Sequence, residues 1–265
     1  MSKKQQLPKV LIFDVETSYL ESTIKHWDSH VSDYIPHDKM KIKEWSILSV
    51  CAKWLGSKNV IYFDNRNKKD KRDDKTTVAK LGKLLDKADV IITKNGKRFD
   101  EKMFNARCAK HRLPMPSPYR HIDVEQIVRR KFRLVSYSLD YLCEFFNTEH
   151  KKLKHAKFPG MMLWEECMKG NREAWEEMKK YNINDVLASE DVYNEVKIWD
   201  KSVSFQVYNK EEVLQCNCGS TKLQKRGFNF SNTGRHQRYQ CLDCGSWLSS
   251  KQNLLTKEKR AQLLK

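Results

Sequence analysis

The stretch KVLIFDVETS, from Lys9 to Ser18, constrains this chain more than any other. Its apolar residues suit a buried strand, yet it ends in two acids. In an extended backbone alternate side chains share a face, so Asp14 and Glu16 point the same way while Val15 points into apolar surroundings. Two like charges that close repel. Without a cation between them, burial and the neighbouring charge push at least one toward its protonated form. The expected context is a strand end that holds a metal ion at a site of chemistry.

The rest of the chain supplies a sheet for that strand. WSILSVCAKWL (Trp45 to Leu55) and NVIYFD (Asn59 to Asp64) read as two further strands, and the short gap at Gly56 and Ser57 predicts an antiparallel hairpin. TTVAKLGKLLDKA has helical spacing, DVIITKN (Asp89 to Asn95) is a short apolar strand, and DEKMFNARCAKHR is helical again. The order is β, β, β, α, β, α. Pro114, Pro116 and Pro118 end that helix, and HIDV (His121 to Val124) follows as a brief extended segment. Beyond it lie the helical patterns SLDYLCEFF and MMLWEECMKG, then a long helix from Arg172 to Lys197. The polar segment from Tyr19 to Lys43 receives no element. Periodicity fades between Val203 and Gln215, which predicts a main domain over 1–203, a linker over 204–215, a small domain over 216–250 and a basic tail over 251–265.

Hydrophobic residues make up 39% of the 265, including seven Trp, enough to bury a large core. The formal charge of +17 points to a polyanionic partner. From Gln206 onward eleven Lys and Arg face four Asp and Glu, so both parts of the chain are basic. The run RNKKDKRDDKTT is read as a solvated loop. MSKKQQLPK leads straight into the acidic strand, and no apolar run approaches the roughly 18 residues of a membrane span. The expectation is a soluble, cytoplasmic protein with no membrane partner.

Two more motifs complete a carboxylate site. In TKNGKRFDEKMF the dipeptide Asn95-Gly96 predicts a tight turn, glycine letting a substrate come close, and Asp100 opens the next helix. In KKYNINDVLASEDVY, Tyr181 and Asp185 are four residues apart and share one helical face. Each motif alone is weak, since strand-end acids and helical Tyr/Asp pairs are common; their conjunction in this order is the signal. Asp123 in HIDV is assigned to capping the following helix or holding a turn.

FDVET, NGKRFD and YNINDV, in that order, resemble the three motifs of the DEDD superfamily of 3′-5′ exonucleases. The resemblance covers residues 8 to 200. The intervening HIDVEQIVRRKFRLVSYSLDYLCEFF looks like that of free-standing, often phage or bacterial, members related to family-B polymerase proofreading domains. Tyr181 marks the DEDDy branch, while Lys94 departs from relatives that often carry His or a small residue there. The resemblance implies an α/β, RNase H-like fold with a mixed five-stranded sheet flanked by helices. It implies two Mg²⁺ or Mn²⁺ ions, consistent with hard oxygen ligands. Asp14, Glu16 and Asp185 would hold one, Asp14 would bridge to the second, and Asp100 would help position that second ion. Tyr181 would orient the attacking water. Thr17, Asn95, Gly96 and Phe99 would contact substrate.

Of eight cysteines, Cys51, Cys108, Cys143 and Cys167 are isolated in apolar or helical patterns and read as core residues. Cys216, Cys218, Cys241 and Cys244 form two pairs, each followed by a glycine, Gly219 or Gly245, and can clamp one structural Zn²⁺. The pattern from Gly234 to Cys244 resembles small zinc ribbons of transposase-associated proteins, although the first pair is C-x-C where ribbons usually have C-x-x-C. His236 is an alternative ligand. Lys222, Lys225, Arg226, Arg235 and Arg238 are interleaved with Phe228, Phe230 and Tyr239, a combination suited to single strands. Lys222, Arg226, Arg235 and Arg238 are the candidate contacts.

The reading is a metal-dependent 3′-5′ exonuclease of single-stranded nucleic acid 3′ ends, DNA before RNA, with an appended zinc ribbon. It would serve DNA repair or replication, and the ribbon would meet a replication or recombination protein. The alternatives are a 3′ exoribonuclease, a structure-specific endonuclease and a non-catalytic nucleic-acid-binding adaptor.

Overall fold

The first strand is buried throughout its apolar start, and at its end the buried Val15 sits between the half-buried Asp14 and Glu16. The computed structural model describes residues 8–24, 40–153, 157–209 and 213–263. They divide into two compact units, Lys9–Asn194 and Glu195–Lys265, the latter grouped with Pro8.

In the first unit β1 (Val10–Thr17) lies at the centre of a five-stranded mixed sheet. It pairs antiparallel with β4 (Ile47–Trp54) and parallel with β6 (Val90–Thr93). Outside these, β5 (Val60–Asp64) continues antiparallel on β4, forming the expected hairpin, and β7 (Arg120–Asp123) continues parallel on β6. Central strands covered on both faces carry near-continuous apolar runs, as β1, β4 and β6 do. Lys53 is buried within β4 because it pairs with Glu190.

One face of β1, with Leu11, Phe13 and Val15, packs on α1 (Lys75–Leu85) and α2 (Asp100–His111) through Val78, Leu81, Leu85, Phe104 and Cys108. A second core of Leu48, Leu163, Cys167, Trp175 and Met178 joins β4 to α5 (Met162–Lys169) and to the 25-residue α6 (Arg172–Val196). The four isolated cysteines are buried, as expected.

Two short helices connect these layers. Asp123 caps α3 (Val124–Lys131), accepting from the amides of Glu125 and Gln126, while Ser138 caps α4 (Leu139–Phe145). The polar segment left unassigned from the sequence holds a two-stranded ribbon at its ends, β2 (Glu21–Ile24) against β3 (Met40–Lys43). At its base Arg72 donates to Ser18 Oγ, Tyr19 O and Glu44 O at 2.8–3.0 Å and pairs with Glu21.

The second unit is a three-stranded antiparallel sheet in the order β10 (Trp247–Ser249), β9 (Gly234–Cys241), β8 (Leu223–Ser231), followed by the short α7 (Lys257–Ala261). Among the described residues no helix is long and apolar enough to cross a membrane.

Candidate active site

Three chain segments converge on the face of β1 opposite α1 and α2. Asp14, Glu16 and Asp185 each bring a carboxylate oxygen to within 4.8 Å of the other two. Strand alternation aims the first pair, and α6 delivers the third. Asp100 stands beside them at the first residue of α2, where its Oδ1 accepts the Val15 amide at 3.1 Å. That bond fixes the carboxylate against the same strand that carries Asp14 and Glu16. Asp100 and Asp185 are only 3% and 7% exposed.

Surrounding side chains hold the acids in place. Asn182 donates to Asp14 Oδ2 at 2.6 Å and accepts from Ser49 Oγ at 3.1 Å. The Trp164 indole N–H donates to Glu16 Oε2 at 3.2 Å. Tyr181 lies edge-on to Trp164, with ring centroids 6.1 Å apart, and the Lys152 ammonium sits 5.3 Å from its ring centroid and 3.7 Å from Asp185 Oδ2. None of these four supporting residues stood out in the sequence. Asn182 had a usable signal, since it precedes Asp185 by three positions and so shares its helical face. Ser49, Trp164 and Lys152 come from elements whose position against β1 no local pattern reveals.

The charges explain what such a cluster needs. Burial first, then Asp100, Glu16 and Asp185, raise the Asp14 carboxyl well above its ordinary range. Glu16 is pushed up to about 8 by burial and Asp185, against the Trp164 hydrogen bond. Burial lifts Asp100 to about 7 despite the Val15 amide. Asp185 is also raised by burial, with Lys152 and Tyr181 opposing. The ammonium groups of Lys152 and Lys94 do not balance four acids. The buried Asp185 Oδ1 has no hydrogen-bond partner among the described residues, leaving an acceptor free for a cation. An all-oxygen set of this kind fits Mg²⁺ or Mn²⁺.

The turn before Asp100 is shaped by packing. Asn95, at φ 64°, takes the left-handed conformation that Asn tolerates, and its amide and that of Lys97 donate to the Asp123 carboxylate at 3.0 and 3.2 Å. Asp123 therefore both caps α3 and holds the turn. A Cβ on Gly96 would fall 2.2 Å from Thr93 Oγ1, so this neighbour alone demands glycine. Thr17 sits at a register irregularity after Glu16, and Phe99 is exposed at the start of α2.

In the second unit all four clustered cysteines bring their sulfurs within 4.8 Å of one another. Cys216 and Cys244 are 3.6 Å apart and Cys218 and Cys241 3.7 Å, near the roughly 3.8 Å separation of thiolates at about 2.3 Å from one tetrahedral ion. The two knuckles are one design at two lengths. Gly245 N donates to Cys241 O and Cys241 N to Ser246 O, whereas Gly219 N donates to Cys216 O and Cys216 N to Ser220 O, one residue shorter. Both glycines have positive φ, 94° at Gly219 and 74° at Gly245. The C-x-C pair thus closes by shortening the turn. His236 is outside the cluster, its Nδ1 3.1 Å from the Gln252 carbonyl. Burial opposes ionisation of Cys241, but the amides of Cys244 and Asp243 outweigh it and bring the thiol down to about 7.

The ribbon's candidate contacts are exposed. The Arg235 guanidinium lies 4.7 Å from the Phe228 ring centroid and Arg238 4.9 Å from that of Trp247. Phe230 is 70% exposed beside Phe228. Arg226 bonds Gln224, and Lys222 pairs with Asp243 at the surface.

A mixed five-stranded sheet flanked by helices, with clustered acids on its central strand and long helix, defines an RNase H-like α/β protein. The RNase_H_2 family, described as RNase_H superfamily, matches residues 41–197, more than half of the chain. The chain belongs to the RNase_H superfamily. The matched span begins after β1, so Asp14 and Glu16 rest on the fold. A solved family B DNA polymerase from the hyperthermophilic archaeon Pyrobaculum calidifontis is similar in structure, with a TM-score of 0.53 at 14% identity. The similarity covers 73% of this chain and 25% of the polymerase. None of the curated proteins matches the sequence.

Proposed function

We propose that the chain is a metal-dependent 3′-5′ exonuclease of the DEDDy type, acting on single-stranded DNA. The observation that carries this reading is the meeting of Asp14, Glu16 and Asp185 beside Asp100, on a fold shared with a DNA polymerase. Two divalent ions, when bound, supply an activated water and neutralise charge on the leaving 3′ oxygen. Asp14, Glu16 and Asp185 would hold the first ion, and Asp14 and Asp100 would help position the second. Asn182 and Trp164 keep Asp14 and Glu16 aimed at the shared site. Burial and the neighbouring Asp185 raise the Tyr181 hydroxyl further above its ordinary range, so it keeps its proton and orients the water by hydrogen bonding. Thr17, Asn95 and Phe99 border the substrate's 3′ end.

The catalytic domain runs to about residue 203, and beyond the linker the four cysteines hold one structural Zn²⁺ in a ribbon that grips the strand through Arg235, Arg238 and the exposed rings. Such an enzyme suits DNA repair or replication.

The test uses 5′-labelled DNA and RNA strands of one sequence with Mg²⁺ or Mn²⁺, beside a chelator control and Asp14→Ala. A descending ladder from DNA, in the wild type with metal only, is the expected result. A ladder from RNA alone reassigns the protein as an exoribonuclease. Binding of both strands with no shortening of either overturns the catalytic reading in favour of an adaptor.

A further inference from the structure

The turn that leads into Asp100 is held from beneath as well as through Asp123. His121 on β7 pairs in register with Ile91 on β6, and Thr93 follows Ile91 by two residues, so His121 and Thr93 share the sheet face where Ile91 joins Phe104 of α2 in the core. On that face His121 bridges Thr93 to α2. Its Nε2 is 2.8 Å from Thr93 Oγ1 and its Nδ1 3.0 Å from Glu101 Oε2. The Tyr119 hydroxyl bonds the same carboxylate. Burial holds the imidazole below its ordinary range, with Glu101 opposing, so at neutral pH the ring carries a single N–H. The Glu101 carboxylate takes that N–H at Nδ1, and the bare Nε2 accepts the Thr93 hydroxyl.

These bonds close a path around Asp100. The Thr93 side chain, 1% exposed, fills the space under Gly96, where an added Cβ would meet its Oγ1 at 2.2 Å and its Cγ2 at 2.8 Å. The Gly96 carbonyl in turn accepts the Glu101 amide at 2.9 Å. The path therefore runs from Thr93 to Gly96, on to Glu101, through His121 and back to Thr93. Asp100 lies between Gly96 and Glu101 along it, with its Oδ1 on the Val15 amide. Packing alone does not call for such groups. Valine has the shape of threonine, and an apolar side chain in place of His121 would leave no buried ring nitrogens to satisfy. A fully bonded polar path instead selects one rotamer at each position and one course for the turn.

We propose that His121 is a positioning residue for the second divalent ion: with Thr93 and Glu101 it fixes the turn from Asn95 to Asp100, and so the carboxylate that helps position that ion. The inference rests on the metal-dependent reading above and deepens it by assigning three residues that govern one ion and not the other.

The experiment titrates Mn²⁺ into the full-length protein, followed by electron paramagnetic resonance, with Asp100→Ala marking the binding constant that depends on Asp100. Thr93→Val keeps the shape and removes the hydroxyl, whereas Thr93→Ser keeps the hydroxyl and removes a methyl. The marked constant is expected to weaken about tenfold in Thr93→Val and in His121→Leu and to hold in Thr93→Ser. The double variant Thr93→Val with His121→Leu should be no weaker than either alone, because both break one path. The other constant should stay at its wild-type value throughout. A merely structural role predicts otherwise: Thr93→Ser losing more than Thr93→Val, or both constants falling together with the melting temperature in chelator, and either result overturns the positioning role. So does a marked constant unchanged in His121→Leu, or an Asp100→Ala protein that binds Mn²⁺ as the wild type does. Two Mn²⁺ constants without DNA cleavage by the wild type would sink the exonuclease reading alone, whereas a wild type that binds no Mn²⁺ would sink both.

Discussion

At the scale of single residues, the site is a conflict between charge and burial that a divalent ion would resolve. In the unfolded chain Glu16 ionises near 4.5, while in the metal-free fold it does so near 8. Between those values the folded state holds the extra proton, so the site's contribution to stability is intact in acid and is lost as pH rises toward 8. Metal replaces those protons. Thermal melts from about pH 5 to about pH 8 are therefore expected to show Mn²⁺ raising Tm most at the alkaline end; a gain that shrinks with pH would count against the carboxylates as ligands. Asn182→Ala removes the amide that holds Asp14 and should lower metal affinity or turnover by about 10- to 100-fold, read by Mn²⁺ titration and by rate. Tyr181→Phe should slow cleavage while leaving that titration unchanged. The acids themselves were legible because alternation and helical spacing are properties of short stretches. Trp164 and Lys152 were not, because their roles depend on where α5 and the segment before it pack.

At the scale of elements, the sequence revealed those with a strong period and missed those without one. The hairpin β4–β5, the strand β6 and the helices α1, α2 and α6 fall within a few residues of their predicted spans, since long apolar patterns leave little choice. The ribbon β2–β3 was missed. Its four-residue strands, ESTI and MKIK, are too short to establish alternation, and Arg72 from a distant loop secures their base. Asp123 shows an element boundary serving two structures at once, since one carboxylate accepts the α3 amides and those of Asn95 and Lys97. Asp123→Ala should destabilise the fold by about 1–3 kcal/mol, more than a simple cap, because it also leaves turn amides unpaired. Denaturant unfolding measures it. A loss under about half a kcal/mol would mean water replaces the carboxylate and the turn does not depend on it.

At the scale of the whole molecule, the charge of +17 is shared by both parts of the chain, with eleven cations against four acids from Gln206 onward. Exposed rings and guanidinium groups on β8, β9 and β10 leave that small sheet little core of its own, so the four sulfurs have to supply its stability. Zinc bound at the cysteines would set whether the ribbon's cations are displayed in order. Metal analysis is expected to find one Zn²⁺ per chain, lost in Cys241→Ser. In an Asp14→Ala background that variant should bind single-stranded DNA more weakly and with a smaller salt slope, because phosphate contacts each contribute about 0.7 to it. Catalysis should respond differently. At saturating substrate the otherwise wild-type Cys241→Ser enzyme should retain its rate, since the acids belong to the other unit, while its KM rises. Zinc loss with unchanged DNA affinity would instead assign the ribbon to a protein partner.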